Sequence, residues 1–264
     1  MIKTLKYLNL IFFILMVCIN ILANILPIGY GNTGAISEKY PNLYTPAPIT
    51  FSIWGIIYIM LGIFIVYQLG CFSIEKISEC LVEQIGPWFI VSCILNIAWI
   101  LSWHYDRISL SSIIMLLLLF SLIIITVRIS PCTIQDMVKP IGISFLTKIS
   151  IYAFDIYLGW ITAATIANIS ALLVKCEWNR FGLSEPFWTV IMLLVGTILG
   201  ILFIVINRRY MSAAAIVWAY CGILIKHISQ SGHAGNYPVI ITITIVGIVA
   251  ILSTIVITMI LHRN

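Results

Sequence analysis

Apolar residues in this chain gather into long unbroken runs, and polar residues are confined to the stretches between them. Eight runs approach or exceed the ~20 residues that a helix needs to cross a bilayer core. They cover 7–27, 49–69, 87–104, 109–129, 145–174, 186–206, 211–229 and 237–261. The runs are continuous rather than alternating, and about twice the length of a barrel strand. This predicts an all-α integral membrane protein with about eight transmembrane helices. Pro48, Pro87, Pro186 and Pro238 each stand at the head of a run. Proline is tolerated there because the first N–H groups of a helix have no intrahelical partner. The third run is the shortest. The fifth exceeds the hydrocarbon thickness, so its start belongs in the interface or it tilts. Lys3 and Lys6 precede the first run as in a signal peptide, but no small-x-small cleavage site follows, so it reads as a membrane helix.

Composition agrees. Of 264 residues 62% are hydrophobic and 9% charged, against roughly 25% charged in an average globular chain. So few polar residues cannot dress the surface of a soluble fold this large. The net charge of +5 is scattered between apolar runs and forms no nucleic-acid footprint. The seven Cys contain no CxxC, so neither a zinc site nor a disulfide framework is read, though Cys71 and Cys80 share one loop. Nine Lys and Arg fall on one side of the predicted path and five on the other. This favours both termini in the cytoplasm, and the location expected is a bacterial cytoplasmic membrane.

Two connecting segments stand out. Residues 28–48 form a loop rich in Gly and Pro, and a connection of that length is functional or disordered. Residues 71–85 read as an amphipathic helix on the membrane surface. Ile74, Ile77, Leu81 and Ile85 lie on one face, with Glu75, Glu79 and Glu83 on another. Other signals carry little. Gly29, Gly31 and Gly34 spell GxGxxG, but no strand precedes them. Asn168-Ile169-Ser170 is a glycosylation triplet inside an apolar helix. Gly196 and Gly200 suit either close helix packing or chance. His104, His227, His233 and His262 sit at helix ends or in loops. No histidine stands at i, i+4 from another histidine or an acid, so no metal site and no catalytic constellation is predicted.

The polar residues inside the runs are the informative ones. Asp155 is an acid within the fifth run, open to structural pairing with Lys148 or to a functional role. Asn96, Trp99 and Trp103 share one helix face, spaced 0, +3, +7. Tyr157, Trp160, Ala164 and Asn168 share another, spaced 0, +3, +7, +11, while Trp54 and Tyr58 are i, i+4. An amide in mid-membrane must hydrogen-bond inward, so these faces look into a bundle. They either pack against one another or line a cavity suited to a flat apolar ligand.

The same residues resemble a family. Tyr157, Trp160, Ala164 and Asn168 match the fifth-helix signature of the TspO/MBR family, the tryptophan-rich sensory or translocator proteins. Leu95-Asn96-Ile97-Ala98-Trp99 resembles its third-helix Leu-Asn-x-x-Trp. Trp54-Gly55-Ile56-Ile57-Tyr58 resembles the start of its second helix. Pro46-Ala47-Pro48 stands where that family has adjacent prolines, and Ile156 where it has a proline. The resemblance covers residues 7–175. It implies a five-helix bundle (1–175) whose cavity takes a tetrapyrrole under a lid formed by residues 28–48. Three further helices (176–264) have no counterpart in its short members and suit a homo-oligomer or partner surface.

The expected function is therefore a membrane sensor or receptor that binds a flat hydrophobic ligand such as a porphyrin. Its binding residues are Trp54, Tyr58, Asn96, Trp99, Trp103, Tyr157, Trp160, Ala164 and Asn168. A transporter or channel is the alternative, with Asp155 as the coupling acid. Weak degradation of the bound tetrapyrrole is a third reading by resemblance. No resident cofactor or metal and no nucleic-acid partner is expected.

Overall fold

The computed structural model describes residues 2–26, 29, 33–70, 75–129 and 145–261, with the side chains at 75 and 76 outside the description. Cys71, and with it the Cys71–Cys80 pairing, falls outside the described residues, as do His262 and Tyr30 to Asn32 of the first loop. Among the described residues there is no strand. The helices are α1 (Ile2–Ile25), α2 (Thr33–Lys39), α3 (Ile53–Gln68), α4 (Glu75–Ile85) and α5 (Trp88–His104). They continue with α6 (Ile108–Arg128), α7 (Phe145–Lys175), α8 (Glu185–Asn207), α9 (Tyr210–Ile228) and α10 (Pro238–Leu261). A 3₁₀ turn at Pro48–Ser52 leads into α3, and another at Arg180–Gly182 precedes α8.

Among the described residues seven helical segments are long and apolar enough to cross a membrane, and α4 with α5 would make an eighth as one bent span. Large apolar side chains on their outer faces stay exposed. Phe120 on α6 is 57% exposed and Val246 on α10 is 56% exposed. A soluble helix would place polar residues at such positions, whereas hydrocarbon accepts these. The longest helix, α7, would run about 46 Å at 1.5 Å per residue, well beyond a ~30 Å core.

The chain divides into two compact units, Met1–Asn32 with Ile53–Leu158, and Thr33–Ser52 with Gly159–Asn264. In the first, α1 packs against α3, α4 and α5, and α5 against α6. Gly86 ends α4 with φ +57°, the left-handed cap that glycine takes without a Cβ penalty. Pro87 follows, and α4 and α5 meet at a bend of 55°. The predicted apolar face of α4 is buried at Ile77, Leu81 and Ile85. Its acidic stripe is not merely solvated, because Glu79 pairs with Lys6 of α1 at 3.4 Å.

In the second unit α8, α9 and α10 pack together. Tyr220 of α9 is gripped between glycines. A Cβ at Gly196 of α8 would lie 2.6 Å from its hydroxyl, and one at Gly247 of α10 would lie 2.8 Å from its ring. A Cβ at Gly200 would meet Ile251 of α10 at 2.9 Å. The Gly196/Gly200 pair therefore serves close packing.

The turn from α9 to α10 holds a histidine pair. His233 lies against His227 with ring centroids 4.6 Å apart and planes tilted by 34°, and meets Tyr237 edge-on at 5.4 Å. Burial, followed by the neighbouring His227 and Lys226, holds the His233 imidazole below its ordinary pKa. A histidine depressed in the folded state is stabilising while neutral, and that contribution is lost as pH falls below the unfolded value near ~6.5. The thermal midpoint of the purified protein is accordingly expected to drop between pH 7 and pH 5. His233→Gln should flatten this dependence, as measured by melting at a series of pH values.

Candidate functional site

Six of the nine expected site residues meet in the first unit. Trp54 is the hub. It stacks on Tyr58 with centroids 5.5 Å apart, lies 5.7 Å from Trp99, and takes Tyr157 edge-on at 5.7 Å. Trp99 continues the cluster to Trp103 at 6.3 Å. The i, i+3 and i, i+4 spacings do this work, since each helix offers its aromatic residues on one face. Trp99, Trp103 and Tyr157 are buried, whereas Trp54 and Tyr58 remain partly exposed.

An amide relay backs the rings. Asn20 of α1 donates to the Asn96 carbonyl oxygen at 2.7 Å and also to the Met16 carbonyl at 2.9 Å. Asn96 in turn donates to the Tyr157 hydroxyl at 2.8 Å. Three helices are thus joined through one fully buried amide. One polar atom beside the relay, the Trp99 indole nitrogen, is buried without a hydrogen-bond partner. Such groups cost free energy when left unsatisfied.

The remaining three residues belong to the second unit. Trp160 is buried and meets Phe51 edge-on at 5.8 Å, and Asn168 is buried as well. Ala164 is half-buried. Asp155 is 4% exposed, while Lys148 is exposed.

Sequence reasoning missed the first helix. Asn9 and Asn20 are both buried, and Asn9 donates to Gln68 of α3 at 2.9 Å. A signal was present, because these amides stand eleven residues apart, about three turns, and so share a face. It also missed where the first loop is anchored. Residues 40–47 are almost wholly buried. The Ala47 N–H donates to the Gly222 carbonyl at 3.0 Å, and the Trp218 indole donates to the Thr50 carbonyl at 2.9 Å. His227 meets the Leu43 carbonyl through Nε2 at 2.8 Å, and the Leu43 N–H donates to Glu185 at 3.0 Å. The helices after residue 175 therefore hold this segment by its backbone. No group of three or more metal-ligating side chains occurs among the described residues.

A set of long apolar helices around a buried aromatic and amide cluster defines an all-α integral membrane protein. A family model described as TSPO-like protein matches residues 6–257. The chain belongs to that family, and the match runs through α8, α9 and most of α10 as well as the region that carries the motifs. No curated protein and no solved structure matches the chain.

Proposed function

We propose that the protein is a membrane sensor that binds a flat, largely apolar ligand, such as a porphyrin, against the Trp54 aromatic cluster. The observation that carries this reading is the buried Trp99 Nε1, which has no hydrogen-bond partner and lies between the rings of Trp54 and Trp103. Flat π-systems gain from offset or edge contacts with indoles, and a few convergent polar groups then fix orientation. Trp54 and Tyr58 keep part of their surface open, as a stacking platform requires. The resemblance of the Asn96/Trp99 and Trp54/Tyr58 motifs to the tryptophan-rich sensory proteins supports the same ligand class.

The test is a titration of detergent-purified protein with protoporphyrin IX, followed by tryptophan quenching and by the porphyrin absorption band. Saturable changes in both are expected. Trp99→Phe keeps an aromatic ring but removes the indole N–H, and should weaken binding by about tenfold, the cost of one hydrogen bond at a buried site. A titration that never saturates, or one unmoved by both Trp99→Phe and Trp54→Leu, would sink the proposal.

A further inference from the structure

A second cavity, of about 620 Å³, lies within the second unit between the C-terminal end of α7 and the start of α8, with Pro41, Asn42 and Tyr44 as its third wall. Its size is in the range of small-molecule sites, roughly 300–1,000 Å³. The floor is apolar, with Ile166, Ile169 and Leu173 from α7 and Met192 from α8. The mouth is different. Trp178 and Trp188 both line it, with centroids 5.0 Å apart and planes inclined by 59°. Three charged groups share that rim, Glu177, Arg180 and Glu185.

The charges do not cancel. Arg180 pairs with Glu185 at 3.5 Å, and the other Glu185 oxygen accepts the Leu43 N–H. Among the described residues no cation pairs with Glu177, so the rim carries one carboxylate in excess. Tyr44 also lines the cavity, and its buried hydroxyl has no hydrogen-bond partner. The backbone is held unusually here. Glu177, Arg180 and Phe181 all have φ between +50° and +58°, a region costly for residues with a side chain and concentrated at ligand clamps and similar sites.

We propose that this cavity binds an amphiphile with a quaternary ammonium or protonated amine head and a single hydrocarbon tail. Indole faces attract such cations through the ring quadrupole, the free carboxylate adds charge complementarity, and the apolar floor takes the tail. An anionic head would face the excess carboxylate instead. Tyr44 offers a hydrogen bond to an acceptor near the head, such as an ester carbonyl.

The experiment compares lauroylcholine with laurate, which has the same acyl chain and the opposite charge. Both are titrated below their micellar concentrations into protein in neutral detergent, with tryptophan fluorescence as the readout. Saturable binding of lauroylcholine is expected, and laurate should bind at least tenfold more weakly. Glu177→Gln, an exposed and conservative change, should weaken lauroylcholine several-fold, and Trp188→Leu by up to about thirtyfold. Glu177→Gln should leave the protoporphyrin titration unaltered, which separates this site from the Trp54 cluster. Competition by a phosphocholine-headed lipid would assign the natural source to a choline lipid, and its failure to a free amphiphilic amine. Equal binding of laurate, or lauroylcholine binding unmoved by both substitutions, would overturn the proposal.

Discussion

Gly159→Ala is expected to lower the thermal midpoint of the purified protein by several degrees. A Cβ at this position of α7 would overlap the carbonyl oxygen of Ser212 on α9 and come within 2.8 Å of its Cα. The obstacle is backbone, so no side-chain rotation can relieve it and one helix must move. Overpacking of this kind costs about 1–3 kcal/mol, occasionally more, and the rigid obstacle puts Gly159 at the upper end. Gly55→Ala is the internal control. A Cβ there meets nothing within 4 Å, and alanine exceeds glycine in helix propensity by about 1 kcal/mol, so that variant should melt at or slightly above the parent. Equal melting of the two variants would show that α7 and α9 do not approach as closely as described.

Asn96→Ala is expected to destabilise the first unit and to weaken porphyrin binding together. The substitution breaks the bonds to Asn20 and to Tyr157, which join α1, α5 and α7. Interhelical hydrogen bonds in membranes average about 0.6 kcal/mol and reach about 1.7, so a loss of about 1–3 kcal/mol is anticipated. Tyr157→Phe removes only the second bond while keeping the ring against Trp54, and should cost less. A double-mutant cycle between the two, read by denaturation in mixed micelles, should give a coupling of about 0.6–1.7 kcal/mol. If Asn96 were interhelical glue alone, stability would fall while the porphyrin midpoint held.

The membrane class, the helix positions and the faces carrying Trp54, Asn96, Trp99 and Tyr157 were legible because each follows from local periodicity. An apolar run long enough to cross a bilayer has few other fates, and residues three or four apart share a face whatever the helix packs against. The first helix shows the limit of that reading. Asn20 sits in an apolar run, and nothing nearby in sequence announces that Asn96, seventy-six positions away, is its partner. The role of the histidines was equally hidden. His104 and His227 stand at helix ends, as predicted, yet both are buried and engage backbone carbonyls.

By itself, the sequence determined that this chain is an all-α membrane protein, and which aromatic and amide residues share one face on α3, α5 and α7. Hydrophobicity and helical period are local properties, and no partner is needed to read them. Only the tertiary structure decided that Trp54 is the centre of the ring cluster. Only it showed that the segment around Leu43 is tied to α8 and α9 through backbone carbonyls and amides, and that a second cavity opens between α7 and α8. Those features depend on groups distant in sequence, and largely on main-chain atoms, which every residue carries and no side-chain pattern reveals.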